Sequence, residues 1–252
     1  MFFSNLASRT FECKAKHVTL TGYHIDNPGF LSDEDKKRVF EELYPVAVSA
    51  FSRERSEEME KDVWEHVFSV DGLLVVTDII DGKETVVAFR MWQFIEYSVT
   101  AGDILYLAGM CVHKDYQGKG IGRALLDYVL WQDLRRQFTS VDQICPLPPC
   151  RYVVLRTQNP VMKRAFDKAT GVVSYPCEVG GEIPESIRKV AQKVANFLGD
   201  TGFDSATLTS PALYGHSLYG HNPSVDDPRY EGLFNDMNLN RGDAMVCVWR
   251  RE

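Results

Sequence analysis

The chain has 252 residues, 44% of them hydrophobic and 25% charged, which fits a folded α/β-sized protein and excludes a disordered one. Its 28 basic and 35 acidic residues leave a net charge of −7, which repels phosphate backbones and argues against a nucleic-acid partner. Apolar runs such as residues 46–51 and 72–76 are far too short to span a bilayer, so no membrane partner is expected.

Residues 16–23 alternate enough to be a strand. The N-terminus before them lacks the basic start and apolar stretch of a secretory signal, so a cytoplasmic location is expected. Ser32 then has the character of an N-cap, with Asp33, Glu34 and Asp35 in the first turn where the helix dipole favours anions. Val39, Phe40 and Leu43 follow at helical spacing, Pro45 is expected to interrupt, and a second helical stretch is expected over 46–51. Residues 56–67 read as another helix, with Met59, Val63 and Val67 on one face. Residues 73–78 and 85–97 are strand candidates separated by Asp81-Gly82, a hairpin turn signal. Residues 104–112 are a third consecutive strand.

A helix is predicted over 121–137, where Ile121, Ala124, Leu125, Tyr128 and Val129 share a face. Residues 142–149 are a Pro-rich connector, Tyr152–Thr157 is a compact strand, and Asn159-Pro160 opens a helix that Gly171 ends. Residues 183–198 form a further amphipathic helix, residues 201–240 are polar and turn-rich, and Ala244–Arg250 is a closing strand. The six cysteines contain no CxxC pair; Cys145 and Cys150 are the only close pair, no histidine cluster accompanies them, and free thiols with no metal site are the expectation. Helix and strand alternate after residue 104, which predicts a parallel strand pair around the helix at 121, while the earlier strands look antiparallel. The fold class is therefore α/β with a mixed sheet covered by helices.

The segment between strand 104–112 and the following helix carries the chemistry. Gly118, Gly120 and Gly122 let backbone N–H groups converge without Cβ clashes, and they sit before a helix whose first N–H groups lack partners. Together these make an anion site suited to a pyrophosphate, to which Gln117, Lys119 and Arg123 add side-chain donors. A P-loop would need GxxxxGK followed by Ser or Thr, and a dinucleotide fingerprint would need GxGxxG; here Gly118-Lys119 runs into Gly120, and the spacing is GxGxG.

On these residues the sequence resembles the GNAT superfamily of N-acetyltransferases. The family signature, Gln/Arg-x-x-Gly-x-Gly/Ala after an apolar strand, is met by Gln117-Gly118-Lys119-Gly120-Ile121-Gly122 after Met110-Cys111-Val112. The resemblance implies a central mixed β-sheet with helices on both faces and a C-terminal helical and loop elaboration. It implies one domain over 1–252, with 1–31 as an N-terminal extension and 172–240 as an insertion atypical of the family. The co-substrate it implies is acetyl-CoA, held by Met110, Cys111, Val112, Gln117, Gly118, Lys119, Gly120, Ile121, Gly122, Arg123 and Asn159. The strands 104–112 and 152–157 would splay apart around the pantetheine arm, with backbone groups of Met110 and Val112 bonding its amides.

Acyl transfer to an amine needs a base, because the amine is protonated at neutral pH, and an oxyanion donor, expected from a backbone N–H near Met110 or Cys111. Glu96 and Asp103, near strand ends, are the candidate bases. Many relatives carry a Tyr seven residues after the Asn; here that position is Phe166, which cannot donate a proton, and Tyr175 is the substitute candidate acid. Trp92, Tyr214 and His216 are candidate substrate contacts, the last two within the echo Leu213-Tyr-Gly-His216 and Leu218-Tyr-Gly-His221. The leading function is transfer of acetyl to a primary amine of a small molecule. The alternatives are a protein lysine or N-terminal acetyltransferase and a non-catalytic acyl-CoA-binding protein. No pattern in the sequence sets the oligomeric state.

Overall fold

The computed structural model describes residues 2–98, 102–135 and 150–251. The chain divides into two compact units, one of residues 1–93 and 108–128, the other of residues 94–107 and 129–252.

The first unit begins with a short helix α1 (Phe3–Leu6) and a hairpin of β1 (Arg9–Ala15) and β2 (Val18–Asp26). The strand expected over 16–23 is therefore corrected. Lys16 and His17 are the turn of this hairpin, and Ala15 pairs with Val18. Alternation continued through the turn and concealed it. Next come α2 (Asp33–Phe51) and α3 (Glu57–Phe68). Ser32 caps α2 by accepting from Asp35 N, and Ser56 caps α3 by accepting from Met59 N.

The break expected at Pro45 does not occur, because α2 runs through it. A proline removes one backbone donor and crowds the preceding turn. Here the residues around it, Leu43, Tyr44, Val46 and Ala47, are all buried, and that packing outweighs the local loss.

The strands β3 (Gly72–Ile80) and β4 (Lys83–Ser98) then form an antiparallel hairpin whose turn residues Asp81 and Gly82 both have positive φ, 51° and 76°. β5 (Gly102–Val112) follows, in strand order β1-β2-β3-β4-β5, with residues 83–93 of β4 and 108–112 of β5 in this unit. One face of the sheet packs Tyr23, Ile25, Leu73, Val75, Phe89, Met91 and Cys111 against α2 and α3. The other face carries Gly22, His24, Leu74, Arg90 and Trp92, in register across the strands. Over it lie residues 121–128 of α4 (Ile121–Arg135), whose Tyr128 stacks on Phe11 at 4.0 Å and approaches His24 Nδ1 at 3.3 Å.

In the second unit β5 pairs in parallel with β6 (Tyr152–Thr157), from Ile104↔Tyr152 to Leu107↔Leu155. Thr157 is followed by α5 (Pro160–Thr170), α6 (Glu185–Phe197), the two-residue strand β7 (Thr209–Ser210), α7 (Pro228–Phe234) and β8 (Ala244–Arg250). β8 runs antiparallel between β6 and β7. Gly171 and Gly199 end their helices with φ of 72° and 70°. The stretch 201–240 is more structured than its polarity indicated. Asp227 caps α7 by accepting from Arg229 N, Pro228 opens it, and Tyr230, Leu233 and Phe234 are buried.

Strands and helices thus form an α/β fold on a mixed sheet. No described helix is long and apolar enough to cross a membrane. The expected connector at 142–149, with Cys145, lies outside the described residues, as do the last two residues of the helix predicted to 137. Cys13, Cys111, Cys150, Cys177 and Cys247 are free thiols.

Candidate functional site

The loop at the start of α4 is built from β5 outward. His113 N donates to Val87 O at 2.9 Å, and Lys114 N donates to Ser49 Oγ of α2 at 3.0 Å. Tyr116 then anchors the chain by donating to Asp78 Oδ2 at 2.6 Å. The Gln117 amide donates to Val112 O at 3.1 Å, so this side chain braces the loop and occupies the Val112 carbonyl.

Gly118 and Gly120 have φ of 75° and 87°, a region that side-chain-bearing residues rarely adopt. A Cβ on Gly118 would meet nothing within 4 Å. On Gly120 it would lie 3.4 Å from Lys16 N. The reason is that Lys16 N donates to Lys119 O at 2.8 Å, so the β1–β2 turn buttresses the loop from below. Sequence reasoning missed Lys16, because its contribution is a backbone donor that no side-chain pattern announces. A Cβ on Gly122 would meet the Met110 thioether, with Cε at 2.7 Å, so a larger residue there would displace the end of that flexible side chain.

Ile121 is buried and seats the first turn of α4, which has no acidic residue. Lys119 Nζ stands 4.3 Å over the Tyr116 ring, and Arg123 Nε contacts both Asp127 oxygens at 2.8 Å on the exposed side of the helix. The loop can therefore offer unpaired helix N–H groups, two left-handed glycines and a lysine to an anion. That donor set, with no carboxylate in the first turn, fits the pyrophosphate of coenzyme A. Cys111 is buried on the opposite face of β5, and burial, then the Asp62 charge, pushes its thiol up to about 12. It is a neutral thiol at pH 7, unsuited to act as a nucleophile. Trp92 lies buried, packed over Gly72 and edge-on to His24 at 5.0 Å.

The remaining candidates are in the second unit. Glu96 is exposed on β4 and Asp103 is half-buried at the start of β5. Asn159 accepts from Val161 N at 2.9 Å through its side chain, so its oxygen caps α5. Phe166 is 1% exposed, with its ring centre 6.4 Å from that of Trp249, and belongs to the packing of this unit. Tyr175 exchanges backbone hydrogen bonds with Val248 at 2.9 and 3.0 Å.

Tyr214 is brought to Arg156, whose Nε donates to its hydroxyl at 3.3 Å. Beside them burial holds the Tyr106 phenol up at about 12, so it stays protonated. Gly242, with φ of 88°, lets the chain pass against Gly215 and His216; a Cβ there would lie 2.6 Å from Gly215 N. A pocket of about 530 Å³ opens beside Pro160, lined by Asn222, Ser224, Glu231, Asn235 and Asn238 among others, and neither Tyr214 nor His216 lines it.

Residues 71–159 match the family model of the acetyltransferase (GNAT) domain. No curated protein sequence matches the chain. Among solved structures, the chain is similar to the ribosomal-protein-S18-alanine N-acetyltransferase from Escherichia coli, at 13% identity and a TM-score of 0.43, covering 91% of this chain and 93% of that one. It is similar to the ribosomal-protein-S5-alanine acetyltransferase from Vibrio fischeri, at 11% identity and a TM-score of 0.42, covering 97% and 98%. It is also similar to the aminoglycoside N(6′)-acetyltransferase from Legionella pneumophila, at 12% identity and a TM-score of 0.36, covering 59% and 78%.

Proposed function

We propose, from the GNAT acetyltransferase domain that residues 71–159 carry, that the protein transfers an acetyl group from acetyl-CoA to a primary amine of a small molecule. The observation that carries the reading is the loop from Gln117 to Gly122, with two left-handed glycines opening a helix whose first turn has no acid. Backbone N–H groups of this loop, with Lys119, would hold the phosphates of the co-substrate. Asn159 would contribute through its amide nitrogen, since its oxygen caps α5.

The transfer forms an amide N–C bond and breaks the C–S bond of the thioester. The amine must first be neutral, and Glu96 or Asp103, directly or through water, would take its proton. Tyr175 is the group proposed to give a proton to the leaving thiolate. No covalent enzyme intermediate is needed, and a Cys111 thiol held up at about 12 is consistent with direct attack. The preference for an amine is supported by the excess of 35 acidic over 28 basic residues, which attracts a cation.

The test is to incubate the protein with acetyl-CoA and a panel of small amines, lysine peptides and peptides with free N-termini, following free thiol. Thiol release that depends on a small amine is the expected result. Release with peptides alone would transfer the reading to a protein acetyltransferase. Tight coenzyme A binding with no release for any amine would leave a non-catalytic binder.

A further inference from the structure

Arg90 stands in the middle of β4 on the face that α4 covers, only 3% exposed and in register with the buried Leu74. A guanidinium removed from water is ordinarily held by a carboxylate. Arg90 has no ion pair among the described residues. Its Nη1 donates to Met110 Sδ at 3.3 Å, a weak acceptor, and its Nε is buried with no hydrogen bond at all. Burial lowers its pKa to about 10 and no acidic neighbour offsets this, yet the group still carries its charge at pH 7.

Met110 links this charge to the loop. The same thioether lies where a Cβ on Gly122 would go, with Sδ at 3.1 Å and Cε at 2.7 Å. The guanidinium is thus one side chain away from the first turn of α4, where the helix dipole is also positive. That turn has no acidic residue to separate the two. Two positive ends converge with no negative group between them, which is repulsive until an anion occupies the loop.

We propose that Arg90 is a specificity-determining and positioning residue for a phosphate-bearing thioester. Its buried charge, carried past Met110 and Gly122, completes the positive field of the 117–122 loop without touching the ligand. The proposal rests on the coenzyme A reading of that loop.

Titration calorimetry with coenzyme A on Arg90→Met, Arg90→Gln and Arg90→Lys, alongside urea unfolding of each ligand-free protein, tests it. Both neutral variants should weaken coenzyme A by about tenfold, the size expected for losing one partly screened charge near the phosphates. Arg90→Lys should keep most of the affinity. Arg90→Met should unfold at an equal or higher urea concentration, because it removes an unpaired buried charge. Opposite movement of affinity and stability is what a structural role would not produce. Unchanged affinity in the neutral variants, or equal loss in Lys and Met, overturns the proposal by marking shape rather than charge. Absence of coenzyme A binding by the unaltered protein is a different result, and it removes the reading of the loop itself.

Discussion

Asp243 is a carboxylate with both oxygens hydrogen-bonded. It accepts from Arg241 Nε and Nη2, each at 2.7 Å, from Asn238 N at 2.8 Å and from Ala212 N at 2.9 Å. These bonds, Arg241 first, hold its carboxyl at about 2, below the ordinary 3.8. The folded state therefore binds the proton more weakly than the unfolded chain. Its contribution is complete above the ordinary value and disappears as pH falls from 3.8 through about 2. Asp243→Asn should cost about 1 kcal/mol at pH 7, since the half-exposed Arg241 is screened by solvent, and almost nothing near pH 2. Urea unfolding at the two pH values checks this.

Phe166 makes a second case at this scale. The resemblance implies a phenol at this position, but the Phe166 ring is buried with its centre 6.4 Å from that of Trp249. Phe166→Tyr should destabilise by about 1–3 kcal/mol through a buried hydroxyl, measured by the same unfolding, and should add no new limb to the pH–rate profile.

At the scale of elements, the β1–β2 turn determines how well the loop is held. Lys16 gives its backbone N–H to Lys119 O, and its own backbone faces Gly120. Lys16→Pro deletes that donor and should weaken coenzyme A about fivefold, the scale of one lost hydrogen bond. Lys16→Ala keeps the donor and should bind as the unaltered chain does. Calorimetric titration of both separates backbone from side chain.

The same element marks the limit of reading from sequence. Glycine spacing, caps and the Asp81-Gly82 turn are local, and each was legible. The β1–β2 pairing was not, because alternation ran on through Lys16 and His17 and nothing local marks a ladder partner. Pro45 was misread for the converse reason: its local cost is visible, while the burial of Leu43, Tyr44, Val46 and Ala47 that overrides it is tertiary. α7 was hidden among polar residues, since its three buried side chains span little more than one turn. The catalytic candidates stay open because acids near strand ends, such as Glu96 and Asp103, look alike whether solvated or reactive.

At the scale of the whole molecule, a net charge of −7 would act on the two proposed substrates with opposite sign. It would attract a cationic acceptor and repel the phosphates of coenzyme A, which the loop would then have to capture by short-range contacts. Salt distinguishes the two. The long-range field is screened beyond about 10 Å at 0.1 M ionic strength, whereas N–H groups at contact distance and a buried charge close behind them are screened much less. Raising salt should therefore increase KM for an amine carrying net positive charge by several-fold, leave a zwitterionic amine nearly unchanged, and change coenzyme A affinity comparatively little. Steady-state KM across a salt series, with matched cationic and zwitterionic amines, measures it. A KM for the cationic amine that ignores salt would mean the acceptor is recognised by contact alone. The acidic surplus would then serve solubility rather than selection.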